Sequence, residues 1–428
     1  MPQDPRRVFL FLQGPHGPFF YRLGQMLRTA GAEVWRVGFN AGDRAFWFDR
    51  DSYLPFTGTL DMWGDALARL LEDKRVTDVV LYGDTRPIHT EAVRLARARG
   101  LTVHVFEEGY MRPYWITYER GGSNGNSRLM QMPLAQIRAH LPPERSEPAL
   151  PPGTWGDMRE HIFYGALYHG FVMFRNRHYR NFTPHRALPA SAEFRHYLRR
   201  LLGMPAHALE RHRATRAVRN GGYPYHLALL QLAHDSAVVC HSPFASQTEF
   251  VRLVIEGFVR GAPAHHHLVF KAHPLEDGRT EARRAIRRIA AEHGVAAHVH
   301  YIRGGKLARL LDEARSAVTI NSTAGQQALW RGIPLKAFGA AVYAHPGLVS
   351  GQPLDAFFRD PAPPDGRAYR DFRRYLLSTS QVAGGFYSAR ARRMLLRRIV
   401  DMVLCAQDPY DAIAQATEAP RQQVRLVS

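Results

Sequence analysis

The strongest constraint on the fold is an alternation of short apolar runs with longer segments of helical periodicity, which the 428-residue sequence shows twice. In the first series, the segment 19–30 lies between two apolar runs and carries Phe20, Leu23 and Leu27 on one helical face. Strands that alternate with helices in this way are typical of a parallel, doubly wound sheet. The predicted strands of the first series are 7–13, 33–39, 78–82 and 102–106, and its predicted helices are 19–30, 60–71 and 90–99.

A second series of the same kind begins after Gly221 and Gly222. An amphipathic segment rich in Arg and Leu follows it at 389–403. Together, the two series predict a GT-B-like α/β fold, with two Rossmann-like domains facing a cleft, a helical insertion and a closing C-terminal helix. The predicted strands of the second series are 225–231, 237–240, 268–271, 298–301 and 317–320, and its predicted helices are 247–260, 279–293, 306–314 and 324–331.

Between the two series the alternation stops. Residues 127–222 are rich in Arg, His and aromatic residues, and their periodicity is helical. One interpretation is a helical insertion packed on the first domain, and the other is a basic, aromatic surface that faces a membrane or binds an acceptor. The predicted segments are therefore 1–126, the N-terminal Rossmann-like domain, 127–222, the insertion, 223–380, the C-terminal Rossmann-like domain, and 381–428, a helix and tail.

The net charge of the chain is strongly positive. Its 57 Lys and Arg residues exceed its 38 Asp and Glu residues by 19, and such a surface attracts nucleic acid, anionic lipid or phosphorylated substrates. Cys240 and Cys405 provide no disulfide framework and favour a reducing compartment. No run reaches the roughly 18 apolar residues of a membrane span, and the apolar stretch near the start is too short for a signal peptide. We expect a cytoplasmic protein that is soluble or peripheral to a membrane.

Polar residues close two apolar runs of the second series. Lys271 and His273 end one run, and Ser322 and Thr323 follow another. Open α/β sheets bind ligands at the carboxyl ends of their strands, and a helix opening at this point would offer free backbone N–H groups to an anion. The sequence therefore predicts a pocket for the phosphate of an activated sugar. Three further candidates that follow apolar runs in this half are Gln231, His241 and Ser242. Helix capping would equally explain the serine among them.

Two adjacent acids, Glu107 and Glu108, follow an apolar run of the first series. Adjacent carboxylates repel each other unless they are solvated or paired. A carboxylate at the end of a strand can act as a base or as a covalent nucleophile toward a sugar. The alternative is a solvated loop with a salt bridge to Arg112.

Three loops of the first series carry further polar candidates. The glycines of the Gly-Pro-His-Gly turn would let backbone amides approach a ligand, although a rigid turn would explain them equally. A helix N-cap is the competing interpretation for the third loop. The candidates are His16 and Gly17 after the first strand, Asn40 after the second, and Asp84, Arg86 and His89 after the third.

Three consecutive histidines, His265, His266 and His267, look like a metal-binding tract. Consecutive side chains alternate in direction, however, and seldom bind one ion together. We interpret the tract as a solvated loop. Since no Asp-x-Asp element is evident as a metal site either, we predict an activity that is independent of metal ions.

The segments 14–20, 37–43, 82–89, 107–113, 271–274 and 321–323 form an ordered set of motifs over most of the chain. This set resembles the capsule polysaccharide biosynthesis/export family, and within it the S-type export proteins of ABC-transporter-dependent capsule systems. The resemblance implies a retaining β-Kdo glycosyltransferase with CMP-Kdo as donor substrate and no cofactor. Such an enzyme transfers the first Kdo to an anionic, phosphatidylglycerol-type lipid and starts the linker that carries the capsule.

The resemblance also implies roles for individual residues. Lys271 and His273 would hold the donor phosphate, and Glu108 would be a catalytic carboxylate. The members of the family carry a Gln-Pro element, of which only Gln231 is present here, without the proline. The other residues with implied roles are Ser322 and Thr323 as nucleotide contacts, and Asp84 or Glu119 as the second acid.

The family further implies an acceptor role for the first domain and a nucleotide-sugar role for the second. The implied partners are the inner-membrane surface and other components of capsule assembly and the ABC transporter. Only the charge of the chain favours nucleic acid, and the separate motifs at the strand ends argue against it, so we expect no nucleic-acid partner. Two alternatives stay open. One is a non-catalytic export adaptor, and the other is a different nucleotide-sugar enzyme of the same fold, such as a sugar 2-epimerase or a hexosyltransferase.

Overall fold

The structure is a computed structural model that describes residues 6–112, 114–141, 158–181, 190–232, 241–273, 276 and 282–415. The chain forms two compact units. Unit 1 consists of Met1–Arg128, Ala139–Ser191 and Arg374–Ser428, and unit 2 consists of Leu129–Arg138 and Ala192–Arg373.

The secondary structure alternates between strands and helices along most of the chain. The strands are β1 Val8–Phe11, β2 Glu33–Gly38, β3 Tyr53–Pro55, β4 Asp78–Tyr82, β5 Thr102–Glu108, β6 Trp115–Arg120, β7 Tyr225–Leu229, β8 His267–Lys271, β9 Val299–Ile302, β10 Ser316–Thr319, β11 Leu335–Ala337 and β12 Gln381–Ala383. The helices are α1 Phe19–Thr29, α2 Ala41–Ala45, α3 Trp63–Asp73, α4 Pro87–Ala98, α5 Leu134–Ala139, α6 Met158–Arg175, α7 Ala190–Arg219, α8 Gln247–Gly261, α9 Ala282–Glu292, α10 Ala308–Leu311, α11 Gly325–Trp330, α12 Leu354–Arg359, α13 Gly366–Ser378, α14 Ala389–Leu404 and α15 Pro409–Ala414. Short 3-10 turns lie at Leu60–Met62, Asn124–Asn126, Arg128–Gln131 and Asn176–Tyr179.

The sheet of unit 1 has the strand order β12-β6-β5-β4-β1-β2-β3 within the described residues. The strands from β5 to β3 are parallel, whereas β6 runs antiparallel to both β5 and β12. Helices cover both faces because the side chains of each strand alternate in direction. In β1, Phe9 and Phe11 join the core under α1 and α14, while Val8 and Leu10 join the core under α3 and α4.

The sheet of unit 2 is entirely parallel, with the strand order β11-β10-β7-β8-β9. Apolar residues of α8 and α9, such as Val254 and Ile286, pack against Leu268 and Phe270 of β8. In both sheets the first strand is an inner strand, and the strands added later fall on either side of it. This arrangement is the Rossmann-like pattern, so the predicted α/β fold with two Rossmann-like domains is confirmed.

The structure differs from the sequence-based expectations at the sheet edges. Strands β3, β6, β11 and β12 were not predicted, because three of them have only three residues and β6 follows a turn rather than a helix. The helix predicted at 306–314 is reduced to α10. The strand predicted at 237–240 lies outside the described residues.

The segment predicted as a helical insertion is shared between the two units. Its helix α6 packs against α2 in unit 1, whereas most of α7 belongs to unit 2. The C-terminal residues also join unit 1, because β12 pairs with β6 and α14 packs against α1. No described helix is both long and apolar enough to cross a bilayer.

The interpretation of the histidine tract as a solvated loop holds for His265, which is exposed in a turn, and is wrong for the other two histidines. His266 is buried, and its Nδ1 lies 3.0 Å from Nε2 of His226. His267 begins β8, where its Nδ1 lies 2.8 Å from Nε2 of His300. Burial, followed by the charges of the neighbouring histidines, lowers the pKa of His267 to about 4. These imidazoles are therefore neutral packing and hydrogen-bonding groups of the β8 edge.

Candidate functional site

In unit 2, three neighbouring strands end at the same level of the sheet. The last residue of β7, Leu229, pairs with Lys271 of β8 and with Thr319 of β10. The strand order reverses between β7 and β10, which is where sheets of this kind bind ligands. Two positions beyond the last residues of these three strands lie Gln231, His273 and Asn321. The structure therefore brings three of the predicted donor-side residues, Gln231, Lys271 and His273, to one edge of the sheet.

Two amide side chains connect the strands at this reversal point. Gln231 Nε2 donates to Asn321 Oδ1 at 2.8 Å, and the backbone N–H of Asn321 donates to Gln231 Oε1 at 3.2 Å. Gln247 Nε2 on α8 donates to the carbonyl of Gln231 at 2.7 Å. All three side chains are buried. The missing proline after Gln231 thus does not remove this residue from the edge of the sheet.

Lys271 is a buried cation at the end of β8. Its side chain is 5% exposed, and its Nζ donates to the Ala272 carbonyl at 3.3 Å. Burial, together with the positive charge of Arg211, lowers the pKa of Lys271 to about 8. The ammonium is therefore only weakly favoured in the absence of a ligand. An anion placed beside it would stabilise the charged form.

A turn separates the end of β10 from the start of α11, the helix predicted at 324–331. Helix α11 begins at Gly325, and the preceding amides are used within the turn. The N–H of Ser322 donates to Thr319 Oγ1 at 3.3 Å, that of Ala324 to Ser322 Oγ at 3.2 Å, and that of Gly325 to the Ser322 carbonyl at 2.9 Å. The prediction that backbone amides are free here for an anion is wrong for these residues. Ser322 and Thr323 are half-buried at the same edge, and their contact with a nucleotide stays a prediction.

The other two donor-side candidates have structural partners. The carbonyl of His241 accepts from Asn321 Nδ2 at 3.3 Å and from the N–H of Ala340 at 3.0 Å. Ser242 Oγ accepts from the N–H of Phe244 at 3.0 Å and stabilises a turn before α8. The N-cap of α8 is Ser246, so capping does not explain Ser242.

In unit 1, a buried carboxylate holds the strand ends together. Asp43 Oδ2 accepts from Gln13 Nε2 at 3.1 Å and from the N–H of Phe39 at 3.0 Å. Its Oδ1 accepts from the Arg36 guanidinium at 3.2 Å and from the Tyr168 hydroxyl at 3.1 Å. Asp43 thus accepts four hydrogen bonds, and one of the four donors is the charged Arg36. These bonds compensate for the free-energy cost of burying the carboxylate.

Three predicted residues lie next to helix α6, which carries Tyr164 and Tyr168. They are His16, Gly17 and Asn40. Asn40 caps α2 through its Oδ1, and its Nδ2 donates to the Tyr168 hydroxyl at 2.7 Å. The His16 ring stacks on Tyr168 with 4.4 Å between ring centroids. Gly17 has a φ of 113°, and a Cβ at this position would lie 3.2 Å from the Tyr164 ring. The glycine is therefore required by both the backbone conformation and the close approach of α6.

Arg86 crosses the reversal point of the first sheet, between β1 and β4. Its guanidinium donates to Gln13 Oε1 at 3.3 Å and lies 5.6 Å from the centroid of the Tyr82 ring. The predicted Arg86 thus lies beside the Asp43 network, at the position where a ligand is expected in such a sheet.

A second carboxylate, Glu108 at the end of β5, lies among aromatic hydroxyls. Tyr82 donates to Glu108 Oε1 at 3.3 Å, and the Tyr387 hydroxyl is also hydrogen-bonded to this side chain. Burial, reinforced by the negative charge of Glu108, raises the pKa of both tyrosines well above the usual range. His161 of α6 stacks on Tyr387 with centroids 4.1 Å apart. Burial lowers the pKa of His161, which keeps its imidazole neutral near pH 7.

Two further predicted residues are close to Glu108 in the sequence. Glu107 precedes it, and Arg112 follows it by four positions. Glu107 Oε1 accepts from the N–H of Glu108 at 3.0 Å. Gly83 has a φ of 67°, and a Cβ there would lie 2.9 Å from Glu107 Oε2. Arg112 is exposed, and its positive charge contributes to the lowered pKa of His161.

The other polar residues of the third loop are engaged in the local structure. Asp84 Oδ2 accepts from the N–H of Ser123 at 2.9 Å and from Asn126 Nδ2 at 3.1 Å, so the carboxylate orders the 123–126 turn. His89 is fully buried within α4 rather than on the loop, and its Nδ1 lies 2.6 Å from the Gly83 carbonyl. The side chains of Asp84 and His89 therefore stabilise the conformation of the loop through these hydrogen bonds.

Glu119 is separate from Glu108 in the structure. It lies on β6 opposite Val105, whereas Glu108 is opposite Ile116, three residues farther along the strand. Glu119 is 2% exposed and accepts from the Tyr410 hydroxyl at 3.1 Å. Burial raises the pKa of Glu119 to about 8. The predicted second acid is thus a protonated core residue at neutral pH.

Sequence reasoning missed five residues that complete these clusters. Asp43 follows the cap residue Asn40 by three positions, a spacing that could have indicated its role. The others come from segments that only the folded chain brings together. The five residues are Gln13, Asp43, His161, Tyr168 and Tyr387.

The described residues contain no group of three His, Cys, Asp or Glu side chains placed to hold a metal ion. The predicted independence of metal ions stays a prediction.

Known proteins resemble this chain along most of its length. It is 33% identical over 383 residues to the capsule polysaccharide export protein KpsS of Escherichia coli, which covers 89% of this chain and 97% of the relative. It is 32% identical over 386 residues to the capsule polysaccharide modification protein LipB of Neisseria meningitidis, covering 89% and 91%.

Solved structures with a similar trace include the β-Kdo 2,7-transferase of Thermosulfurimonas dismutans KpsC, at 13% identity and a TM-score of 0.45, covering 91% of this chain and 99% of that chain. The S. aureus MnaA–UDP complex matches at 10% identity and a TM-score of 0.33, covering 94% and 98%. A family model described as capsule polysaccharide biosynthesis protein matches residues 77–387. Because this match covers most of the sequence, and the E. coli relative is one-third identical over nearly all of it, the chain belongs to the capsule polysaccharide biosynthesis protein family.

Proposed function

We propose that the protein is a retaining β-Kdo glycosyltransferase that uses CMP-Kdo to place the first Kdo on a phosphatidylglycerol-type lipid. The observation that carries this proposal is the buried Lys271 at the carboxyl edge of the unit 2 sheet, next to the reversal point occupied by Gln231 and Asn321. A buried cation at this edge suits a phosphate, and the membership in a capsule family suits a sugar nucleotide of capsule assembly.

In this proposal, Lys271 stabilises the leaving cytidylate. The bond between the anomeric carbon of Kdo and the phosphate oxygen breaks, and its electron pair goes to CMP. The Lys271 ammonium, assisted by His273, neutralises the resulting charge, so that no proton has to be transferred to the leaving group. The lowered pKa of Lys271 supports this role, because the negative charge of the bound donor phosphate would stabilise the protonated form of the lysine.

Glu108 is the proposed nucleophile. Its carboxylate forms a bond to the anomeric carbon as CMP leaves, and the lipid hydroxyl then attacks the same carbon and releases Glu108. Two substitutions at this carbon give net retention. The hydroxyls of Tyr82 and Tyr387 donate to the carboxylate and hold it in one orientation. His161 is neutral and stacked beside them, which suits it to take the proton of the lipid hydroxyl.

The proposed place of action is the inner surface of the cytoplasmic membrane, together with other capsule assembly and ABC-transporter components. The positive net charge of 19 supports attraction to anionic lipid. The E. coli relative is named as an export protein, which supports a place in the same export process.

The test is incubation of the purified protein with CMP-Kdo and short-chain phosphatidylglycerol, followed by mass spectrometry of the lipid. The expected result is a lipid heavier by one Kdo residue, with release of one CMP for each product. Lys271→Ala should abolish both, whereas Lys74→Ala, in the loop after α3, serves as a matched control that retains them.

Two other outcomes would replace the proposal. An export adaptor would release no CMP, and Lys271→Ala would leave capsule assembly intact in cells. A different nucleotide-sugar enzyme would act on a UDP-sugar in a donor panel and leave CMP-Kdo unchanged.

A further inference from the structure

Helix α6 carries large apolar residues on its exposed side. The exposed positions of this helix recur every three to four residues and therefore form one face. Five large apolar side chains on this face are between 37% and 74% exposed. They are Ile162, Phe163, Leu167, Phe171 and Phe174.

The opposite face of α6 prevents the helix from turning its apolar side inward. Tyr168 is bound to Asp43 and Asn40, and His161 stacks on Tyr387. The orientation of α6 is thus fixed by polar and aromatic contacts within unit 1. An apolar face that is held outward in this way marks an interaction surface.

The charges around the apolar face indicate what it binds. Arg175, Arg177 and Arg180 are exposed at the end of the helix and in the turn that follows. The segment 158–181 contains one acidic residue, Glu160, which is half-buried. Aromatic and aliphatic side chains flanked by arginines are the composition of a helix that lies in the interface of an anionic membrane.

We propose that the exposed face of α6 docks on an anionic phospholipid bilayer, with Phe163 and Phe174 inserted among the lipids and the arginines at the headgroups. This inference deepens the proposed function and relies on it for the identity of the lipid acceptor. A helix with its side chains is about 10 Å thick. The inner face of α6 contacts both the Asp43 network and the aromatic cluster around Glu108, so docking would place these two clusters about one helix diameter from the headgroups.

The test uses the full-length protein and vesicles of phosphatidylglycerol mixed with phosphatidylcholine, in a sedimentation assay without any donor. The double variant Phe163→Ser with Phe174→Ser should bind about tenfold more weakly than the wild type. The matched control is Leu60→Ser with Met62→Ser, which changes two side chains of unit 1 that are 49% and 55% exposed. This control should bind as the wild type does, and pure phosphatidylcholine vesicles should retain little of any variant.

Equal binding by the wild type and the Phe163/Phe174 variant would overturn the docking surface. Failure of the wild-type protein to bind anionic vesicles would also overturn it, and would indicate that this face binds a protein partner instead. Transfer of Kdo to a soluble short-chain lipid is measured in parallel and should be the same in the variant and the wild type. Failure of that transfer with vesicle binding intact would count against the proposed activity alone.

Discussion

Gln231 and Asn321 form two hydrogen bonds with each other, one from side chain to side chain and one from backbone to side chain, between the ends of β7 and β10. Arg86 and Gln13 make the corresponding connection in unit 1, between β4 and β1. In each sheet, the contact lies where the strand order reverses. Polar side chains therefore bridge the two strands at each reversal point. A polar ligand could replace one partner of such a hydrogen bond, so that no buried polar group would be left unpaired.

Replacement of Gln231 by Leu should weaken both folding and nucleotide binding. The change removes the Gln231 amide that bonds to Asn321 Oδ1 and to the Asn321 backbone N–H, which costs on the order of 1–3 kcal/mol. Urea denaturation and calorimetric titration with CMP measure the two effects. Gln415→Leu, at an exposed position after α15, is the control and should change neither. Full CMP affinity in the Gln231 variant would separate this pair from the nucleotide site.

Binding of CMP should weaken as the pH rises above about 8. The pKa of Lys271 is lowered to about 8, so the free protein loses its ammonium in this range, while an ordinary lysine stays charged to about pH 10. Since the phosphate binds the charged form, the dissociation constant should rise by up to about tenfold for each pH unit. Titrations with CMP between pH 6.5 and about 9.5 provide the measurement. The variant Lys271→Arg should bind with a flat profile, and a flat profile for the wild type would contradict the role of this lysine.

Glu108→Gln should abolish Kdo transfer and leave nucleotide binding unchanged. The amide keeps the shape of the side chain and its contact with Tyr82, but it is not a nucleophile. Mass spectrometry of the lipid and titration with CMP give the two readouts. Glu72→Gln, on the exposed side of α3, should behave as the wild type. Normal turnover in the Glu108 variant would remove this residue from the mechanism.

Asp43→Asn should destabilise unit 1 strongly. Arg36 is 5% exposed and would lose its charged partner, and a buried ion left unpaired costs about 3–5 kcal/mol. The new NH2 group would also replace one of the two acceptor oxygens, so that two of the four present donors would face another donor. The free energy of unfolding measures the change, and Asp73→Asn at the exposed end of α3 is the control. An equally small effect for both variants would show that the Asp43 network is not part of the stable core.

Glu119→Gln should make the protein more stable at neutral and alkaline pH. The pKa of Glu119 is about 8 in the folded protein, against 4.5 for an ordinary glutamate. Between these values the folded state holds a proton that the unfolded state has released, so wild-type stability falls as the pH rises. Glutamine does not titrate, and the variant should gain roughly 4 kcal/mol at pH 8 and nothing near pH 4. A difference that does not depend on pH would contradict the raised pKa.

The sequence by itself predicted the family and the α/β class, because both depend on patterns that are local or ordered along the chain. The strand 78–82 was predicted with its observed bounds, and Lys271, His273 and Gln231 were predicted at the edge where they lie. Apolar residues recur with the period of a strand or a helix because each such element buries one or two of its faces. This periodicity can therefore be read directly from the sequence.

Only the tertiary structure decided which of the polar candidates share a cluster. Glu108 and Glu119 are close in sequence, yet an antiparallel strand carries Glu119 into the core and a parallel one leaves Glu108 at the sheet edge. Tyr168, His161 and Tyr387 come from a helix and a C-terminal segment far from the strands that they complete. Their contacts depend on how α6 and the C-terminal segment pack against the first sheet, and no local pattern of residues contains that information.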